Sequence, residues 1–269
     1  MKKKDIIVLA GCILLVAGCL VYAFLLLRRG SQDEAVYEAL RPTTDVVYVE
    51  ETPEVEEEVD PTYPIVSMID FNDWYAINED VIGYIMVPNT NISYPVLQHP
   101  TEDDYYLSHT IEDVEDWPGC IYIQSYQSAL FEDAITILYG HNLPLRGTMF
   151  TELHSFEDDA FFEENDTFTL YIPTEEDPTL NYELTCEIYA NIVYTDAHLF
   201  SMVDYSSEED QQKLLDILLE SDDERNHIRE GVEPLGEGDK LVILSTCIRH
   251  EEENRFLVIG ILRAPSIVT

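Results

Sequence analysis

A cysteine and a histidine, each at the end of an apolar run, could support nucleophilic chemistry in this sequence. Cys247 ends the run VILSTC, and His141 directly follows the run AITILYG, whose Gly140 should let the backbone turn. A cysteine thiolate is a strong nucleophile where a base or a cation lies beside it. Side chains at strand ends are held rigidly, so we expect Cys247 and His141 to stand on one rim of a β-structure.

Arg255 is the candidate cation for this pair. If residues 241–247 and 255–261 pair antiparallel across a loop at 248–254, Cys247 and Arg255 become neighbours on the same face. A guanidinium there could favour the thiolate or hold an oxyanion formed on attack. Arg249 is a rival, but it lies on the loop itself. The alternative for Arg255 is a surface ion pair with the glutamates that precede it.

Other interpretations of the cysteines remain open. Cys247 taken alone could be a buried strand residue, because free cysteine is among the most buried residue types. A zinc site built on Cys247 and His250 lacks a second pair of ligands, so we expect no metal. Cys120 and Cys186 lie within β-like runs and are interpreted as core residues. The chain has five cysteines and no CxxC pair, at positions 12, 19, 120, 186 and 247.

The elements that must position these residues are mostly β-strands. Eight short apolar runs, separated by turn residues, predict a closed or nearly closed β-barrel. The runs are 81–87, 92–98, 120–123, 134–140, 167–172, 182–194, 240–247 and 255–263. A leading amphipathic helix is predicted within 65–80, and a second helix at 206–221, between the sixth and seventh runs.

The N-terminal residues predict a location at the cell membrane. Residues 6–27 form an uncharged run long enough to cross a bilayer once. Lysines within residues 1–5 favour a cytoplasmic N-terminus, and the bulk of the chain would then be extracellular. The alternative is a processed signal, since LVAGC at 15–19 resembles a lipoprotein cleavage box. We expect residues 28–62 to form an acidic extracellular linker and residues 63–269 to form the catalytic domain.

The net charge excludes one class of partner. The chain carries 54 acidic and 14 basic residues, which gives a formal charge of -40. A nucleic acid would have to bind against that field, so we expect no nucleic acid partner.

Three ordered motifs resemble the catalytic signatures of sortases. ILYGHNLPLRGTMFTEL (137–153), LSTC (244–247) and RFLVIG (255–260) are similar to the histidine, cysteine and arginine signatures of that family. Residues 77–107 resemble the first barrel strands of class B sortases. The inserted helix and the leading helix also favour class B. The resemblance covers about Tyr63 to Leu262, and three ordered motifs are far more specific than a lone cysteine.

The resemblance implies a mainly β sortase-like barrel and a cysteine transpeptidase without a cofactor. Cys247 would attack a C-terminal sorting signal of a surface protein and form a thioester. A lipid-linked peptidoglycan precursor would then supply the acceptor amine. His141 would transfer protons and Arg255 would bind the substrate carbonyl. The positions also assigned to substrate binding are Ser245, Thr246 and Asn142.

Two alternatives to this function stay open. The acceptor amine could be a pilin lysine, which would make the product a fibre. The chain could also be an inactive sortase-like module that only binds sorting signals. Where the family often has a serine and an aspartate around the third strand, this chain has Cys120 and Gln124 in GCIYIQ. Because of this departure, the sorting-signal specificity of the family is not carried over to this chain.

Overall fold

The computed structural model describes residues 16–19, 21, 34–42, 47–48, 63–195 and 203–265. The chain forms two compact units, Met1–Arg41 and Pro42–Thr269. In the first unit, residues 34–39 form a short helix. Within the described ranges, no helix combines the length and the apolar character needed to cross a bilayer. The predicted span at 6–27 and the linker at 28–62 lie mostly outside the described residues.

The second unit is built around a closed barrel of eight strands. The barrel strands are β3 (Val81–Met86), β4 (Ser93–Leu97), β5 (Ile121–Tyr122), β6 (Ile135–Tyr139), β9 (Thr167–Pro173), β10 (Asn181–Thr195), β12 (Lys240–Ile248) and β13 (Glu251–Leu262). Their order around the barrel is β10, β13, β12, β6, β5, β4, β3 and β9, and β9 pairs with β10 to close the ring. Each strand falls on one of the eight predicted runs, so the predicted barrel is confirmed.

In the described part of the chain, five short strands lie outside the ring of eight. β1 (Val47–Tyr48) pairs with β2 (Ile65–Ser67), which pairs with β10, and β11 (His227–Ile228) also pairs with β10. β7 (Asn142–Leu143) and β8 (Thr148–Met149) form a small separate hairpin directly after His141. The helices are α1 (Phe71–Tyr75), α2 (Asp159–Glu164) and α3 (Glu208–Leu219), with 3-10 turns at Tyr105–Leu107 and Thr151–Glu157.

The leading helix is shorter than the sequence pattern predicts. Its first part is the strand β2, and only the five residues of α1 are helical. Asn181 explains the boundary, because its side chain accepts from the Ile69 N–H and donates to the Ile69 carbonyl. Those backbone groups are therefore unavailable for helical hydrogen bonds. Asp70 then caps α1 by accepting from Asn72 N.

The helix predicted between the sixth and seventh barrel strands is α3, which confirms that expectation. Ser207 caps it by accepting from Asp210 N, and acids fill its first turn. Its buried leucines Leu214, Leu215 and Leu218 share a core cluster with side chains of β6, β10, β12 and β13. Those strand residues are Ile135, Ile137, Ala190, Ile192, Leu241, Ile243, Leu257, Ile259 and Ile261.

The hairpin between β12 and β13 is tighter than predicted. Ile248 pairs with Glu251, so only Arg249 and His250 form the turn, where a loop at 248–254 was expected. His250 has φ 67, and the register shifts between Cys247 and Ile248. The extra strand residues leave the predicted pairing of Cys247 with Arg255 intact, because the irregularity comes after that pair.

Candidate active site

The register of three adjacent strands brings Cys247, Arg255 and His141 to the same level. β12 lies between β6, to which it is parallel, and β13, to which it is antiparallel. Cys247 is directly opposite Arg255, and Ser245 is aligned with Tyr139. Two residues after Ser245 comes Cys247, and two residues after Tyr139 comes His141. The three residues therefore form a row with Cys247 in the middle.

Hydrogen bonds continue this alignment beyond the end of β6. Gly140 N donates to Ser245 O at 3.2 Å, and Thr246 Oγ1 donates to Gly140 O at 2.8 Å. Gly140 does not have a positive φ, so it does not use the left-handed conformation that glycine alone adopts easily. A Cβ at this position would lie 2.7 Å from Phe150 Cδ2, so close packing is what requires glycine.

The Cys247 thiol faces solvent, unlike the other cysteines of the barrel. Cys247 is exposed, whereas Cys120 and Cys186 are buried, as expected for core residues. Burial raises the pKa of the Cys186 thiol strongly, which keeps it protonated and unreactive. The interpretation of Cys247 as a buried strand residue is therefore wrong. A cavity of about 200 Å³ adjoins it, lined by Asn142, Pro144, Leu145, Cys247, Ile248 and Arg249.

His141 lies beneath the ring of Trp117. The two ring centroids are 4.0 Å apart, and His141 is only 8% exposed. Burial lowers the pKa of His141 below its usual 6.5, opposed in part by a 2.8 Å hydrogen bond between Nε2 and Leu107 O. A carbonyl only accepts, so Nε2 carries the proton in this bond. The other nitrogen, Nδ1, is then available to exchange a proton.

Arg255 is a partly exposed cation opposite the thiol. Its Nη1 donates to Asn254 O at 3.0 Å. Glu251, one of the glutamates weighed as its ion-pair partner, forms a salt bridge with Arg225 at 3.0 Å. Tyr122 lies close to Cys247 and Arg255. Burial and then Asp104 raise the pKa of Tyr122, and the charges of Cys247 and Arg255 act on that pKa in opposite directions.

The three residues predicted to bind substrate have different environments. Ser245 and Thr246 are 3% and 2% exposed, so this conformation gives them almost no surface for a ligand. Asn142 is partly exposed and lines the cavity, but its Nδ2 donates to Cys247 O at 3.0 Å. In the part of the chain that the structure describes, no cluster of His, Cys, Asp and Glu side chains could hold a metal ion.

Four residues around the row were missed by the sequence reasoning. Leu107 and Trp117 reach His141 from the segment between β4 and β5, Tyr122 lies on β5, and His154 contacts Cys247 O at 3.1 Å. Their proximity depends on how loops fold back onto the barrel. The only sequence signal was the presence of a histidine within the 3-10 turn that follows the His141 motif.

An exposed thiol between a buried imidazole and a guanidinium can carry out acyl transfer. The thiolate attacks a carbonyl, the imidazole moves protons, and the cation stabilises the oxyanion.

Comparison with known proteins identifies similar proteins among the sortases. Sortase B of Listeria monocytogenes is 27% identical over 193 residues, which cover 71% of this chain and 73% of that protein. Sortase B of Staphylococcus aureus is 25% identical over 177 residues, which cover 66% and 67%.

A solved structure supports the same relationship. Sortase B of Clostridium perfringens superposes with a TM-score of 0.59 at 28% identity and covers 71% of this chain and 97% of that one. No family model matches the chain. The fold and the relatives define a cysteine transpeptidase of the sortase type. Within that type, the similar proteins are named sortase B, and this similarity supports a class B sortase.

Proposed function

We propose that this sortase is a membrane-anchored enzyme that cleaves a C-terminal sorting signal and joins the shortened protein to an amine of a lipid-linked cell-wall precursor. The observation that carries the proposal is the row of His141, Cys247 and Arg255 across three adjacent strands, with the thiol exposed in the middle. The row supplies a nucleophile, a proton carrier and an oxyanion-binding cation, and acyl transfer needs all three.

In the first half-reaction, the Cys247 thiol gives its proton to His141, and the resulting thiolate attacks the carbonyl carbon of the scissile peptide bond. Arg255 donates hydrogen bonds to the oxyanion that forms. When this intermediate collapses, the C–N bond breaks and the new amine takes a proton from His141. The products are a thioester on Cys247 and the released C-terminal peptide.

In the second half-reaction, an acceptor amine attacks the thioester carbonyl. His141, now neutral, takes a proton from this amine, and its lowered pKa keeps the neutral form available near pH 7. The oxyanion collapses again, the C–S bond breaks, and the thiolate returns. The net result is one peptide bond exchanged for another amide bond, so neither a metal nor a redox cofactor takes part in this scheme.

The sequence supports the proposed location. Residues 6–27 are uncharged and long enough to cross a bilayer, and the acidic segment after them should stay extended. An outward-facing domain on such a tether could meet a membrane-held substrate protein and a membrane-held precursor. Protease treatment of intact cells tests this arrangement: an extracellular domain would be digested, and a protected domain would contradict the proposal.

The catalytic proposal is tested with the full chain in detergent micelles. Wild type, Cys247→Ala and the matched control Cys120→Ala are incubated with a library of fluorogenic sorting-signal peptides. We expect cleavage by wild type and Cys120→Ala, no cleavage by Cys247→Ala, and a thioester mass on Cys247. Peptide binding without cleavage or adduct would instead support the inactive binding module. Adding peptidoglycan amines or pilin lysines in turn identifies the acceptor.

A further inference from the structure

The main-chain carbonyl of Cys247 has two side-chain neighbours. Asn142 Nδ2 lies 3.0 Å from this oxygen and His154 Nε2 lies 3.1 Å from it. The preceding carbonyl on the same side of β12, that of Ser245, accepts from Gly140 N. Because the ladder with β6 has ended, the Asn142 side chain takes the place of the next backbone donor at Cys247.

His154 is held in a fixed orientation by its surroundings. Its Nδ1 lies 2.6 Å from Glu157 Oε1, and its ring stacks on Phe256 with 4.8 Å between centroids. An ionised carboxylate only accepts, so Nδ1 carries a proton and the Glu157 bond fixes which way the ring points. In the neutral ring Nε2 is then the acceptor, so it accepts from Asn142 Nδ2, and Asn142 Nδ2 uses its second hydrogen to donate to the Cys247 carbonyl. The side chains of His154 and Glu157 are 21% and 31% exposed.

The amide of Asn142 has one unsatisfied atom. Its Nδ2 also lies 2.9 Å from His154 Nε2, while its Oδ1 is buried and has no hydrogen-bond partner within the described residues. Turning the amide over would set Oδ1 against the Cys247 carbonyl, acceptor against acceptor. The observed orientation therefore leaves one oxygen unpaired in order to keep a donor on that carbonyl.

We propose that Glu157, His154 and Asn142 form a positioning chain that holds the peptide unit of Cys247 and thereby directs its thiol. The proposal rests on the proposed role of Cys247 as the nucleophile. None of the three touches the reacting atoms in this scheme, so they are positioning residues, and Asn142 acts on the nucleophile rather than on substrate. Loss of the chain should lower kcat with little effect on KM, because misalignment affects the reacting geometry more than substrate binding.

The test compares variants of the full chain that separate hydrogen bonding from packing. His154→Phe keeps a ring to stack on Phe256 and loses both nitrogens. His154→Gln keeps a side-chain oxygen near the position of Nε2 that can accept from Asn142 Nδ2. Glu157→Ala removes the orienting carboxylate. The matched control is Asp159→Ala, which removes the carboxylate 2.7 Å from His227, a histidine whose other nitrogen bonds Asn191 and not the Cys247 carbonyl.

Three measurements are made on each variant: kcat and KM for a cleaved peptide, the rate at which iodoacetamide labels Cys247, and the midpoint of thermal unfolding. We expect His154→Phe and Glu157→Ala to lower kcat about tenfold or more and slow the labelling, with KM unchanged. His154→Gln should recover most of the kcat, and Asp159→Ala should match wild type. Unfolding midpoints close to wild type would exclude a merely structural effect.

Wild-type kcat in His154→Phe would overturn the proposal, and so would equal losses in His154→Gln and His154→Phe. If His154→Phe fails to fold, the comparison of Glu157→Ala with His154→Gln still decides. Failure of the proposed function is distinguishable, because a wild type that cleaves no peptide still gives a labelling rate for Cys247 by mass mapping of its peptide. The labelling rates then test the positioning chain alone.

Discussion

The imidazole of His141 is buried while the thiol one strand away is exposed. Burial under Trp117 lowers the pKa of His141, so the ring is neutral near pH 7 and must be charged at a cost before it can donate a proton. The folded state therefore disfavours protonation. Stability contributed by the neutral ring is complete above about pH 6.5, the usual value, and is lost as the pH falls through the folded pKa.

Removing the Trp117 ring should raise the pKa of His141. We expect Trp117→Ala to raise the pKa of His141 towards 6.5, because water then reaches the ring and solvates its charged form. The measurement is an NMR pH titration of the imidazole protons. Trp117→Phe is the control, because it keeps an aromatic ring over the histidine and should stay near the wild-type value. An unchanged pKa in Trp117→Ala would mean that other atoms provide the burial.

The sequence predicted the row of His141, Cys247 and Arg255, but it did not predict the residues that surround the row. Strand ends and side-chain alternation were enough to align Cys247 with Arg255, because both are fixed by backbone geometry. Trp117 and His154 could not be found in this way. Each reaches the row from a loop or 3-10 turn, where the backbone path depends on tertiary contacts rather than on a local period.

The end of β6 is the element on which the position of His141 depends. Gly140 packs against Phe150 and Ile121 so closely that no side chain fits between them. The same glycine is bonded through its N–H and its carbonyl to Ser245 and Thr246 of β12. Packing on one side and hydrogen bonds on the other therefore determine where the next residue, His141, stands.

A methyl group at Gly140 should disturb both stability and activity. We expect Gly140→Ala to lower the free energy of unfolding by about 1–3 kcal/mol and to reduce kcat, since its Cβ would lie 2.7 Å from Phe150 Cδ2. Urea denaturation and peptide cleavage measure the two effects. Gly236→Ala is the control, because its Cβ would be in ordinary contact, 3.4 Å from Asp239 Oδ2. Wild-type stability in Gly140→Ala would show that Phe150 can move aside.

Helix α3 covers the strands that carry the row, and its buried face should matter most. We expect Leu214→Ala to cost about 2–5 kcal/mol of unfolding free energy, because the fully buried side chain leaves a cavity. Ile217→Ala on the same helix should change it by only about 0.5 kcal/mol, since Ile217 is 38% exposed. Urea denaturation gives both values, and similar costs at the two positions would contradict the described packing.

Elements with a clear period were predictable and the leading segment was not. The eight barrel strands and α3 combine alternation or leucine spacing with turn or cap residues at their ends. Residues 65–80 have apolar residues at helical spacings, yet Ile65–Ser67 pairs with β10 as a strand. That pairing partner is more than a hundred residues away, so no local pattern reveals it.

The whole molecule carries a formal charge of -40, and part of that charge lies near the row. The Asp104 carboxylate accepts from the hydroxyl of Tyr122, which lies beside the row, at 3.3 Å. The adjacent Asp103 accepts from the Ser125 hydroxyl. A field of one sign attracts ligands of the opposite charge and is screened by salt. Substrate peptides that carry basic residues should therefore associate more readily than acidic ones.

Ionic strength provides the measurement of this effect. For a cleaved peptide extended with lysines, we expect KM to rise several-fold between about 50 and about 500 mM NaCl, because the Debye length shortens. A peptide of equal length extended with neutral residues should change by less than about twofold, since it carries no charge for the field to act on. Parallel salt responses of the two peptides would show that the charge does not guide substrate.

The parallel pairing of β6 with β12 also bears on how the enzyme is made. Thr246 and Gly140, which this pairing ties together, are 106 positions apart in the chain. During synthesis, His141 emerges long before Cys247, and their strands can pair only after the residues between them exist. Contacts of such long sequence separation form late in folding. In a newly made chain Cys247 therefore has no His141 beside it until the barrel closes, and the proposed catalytic row is complete only after folding.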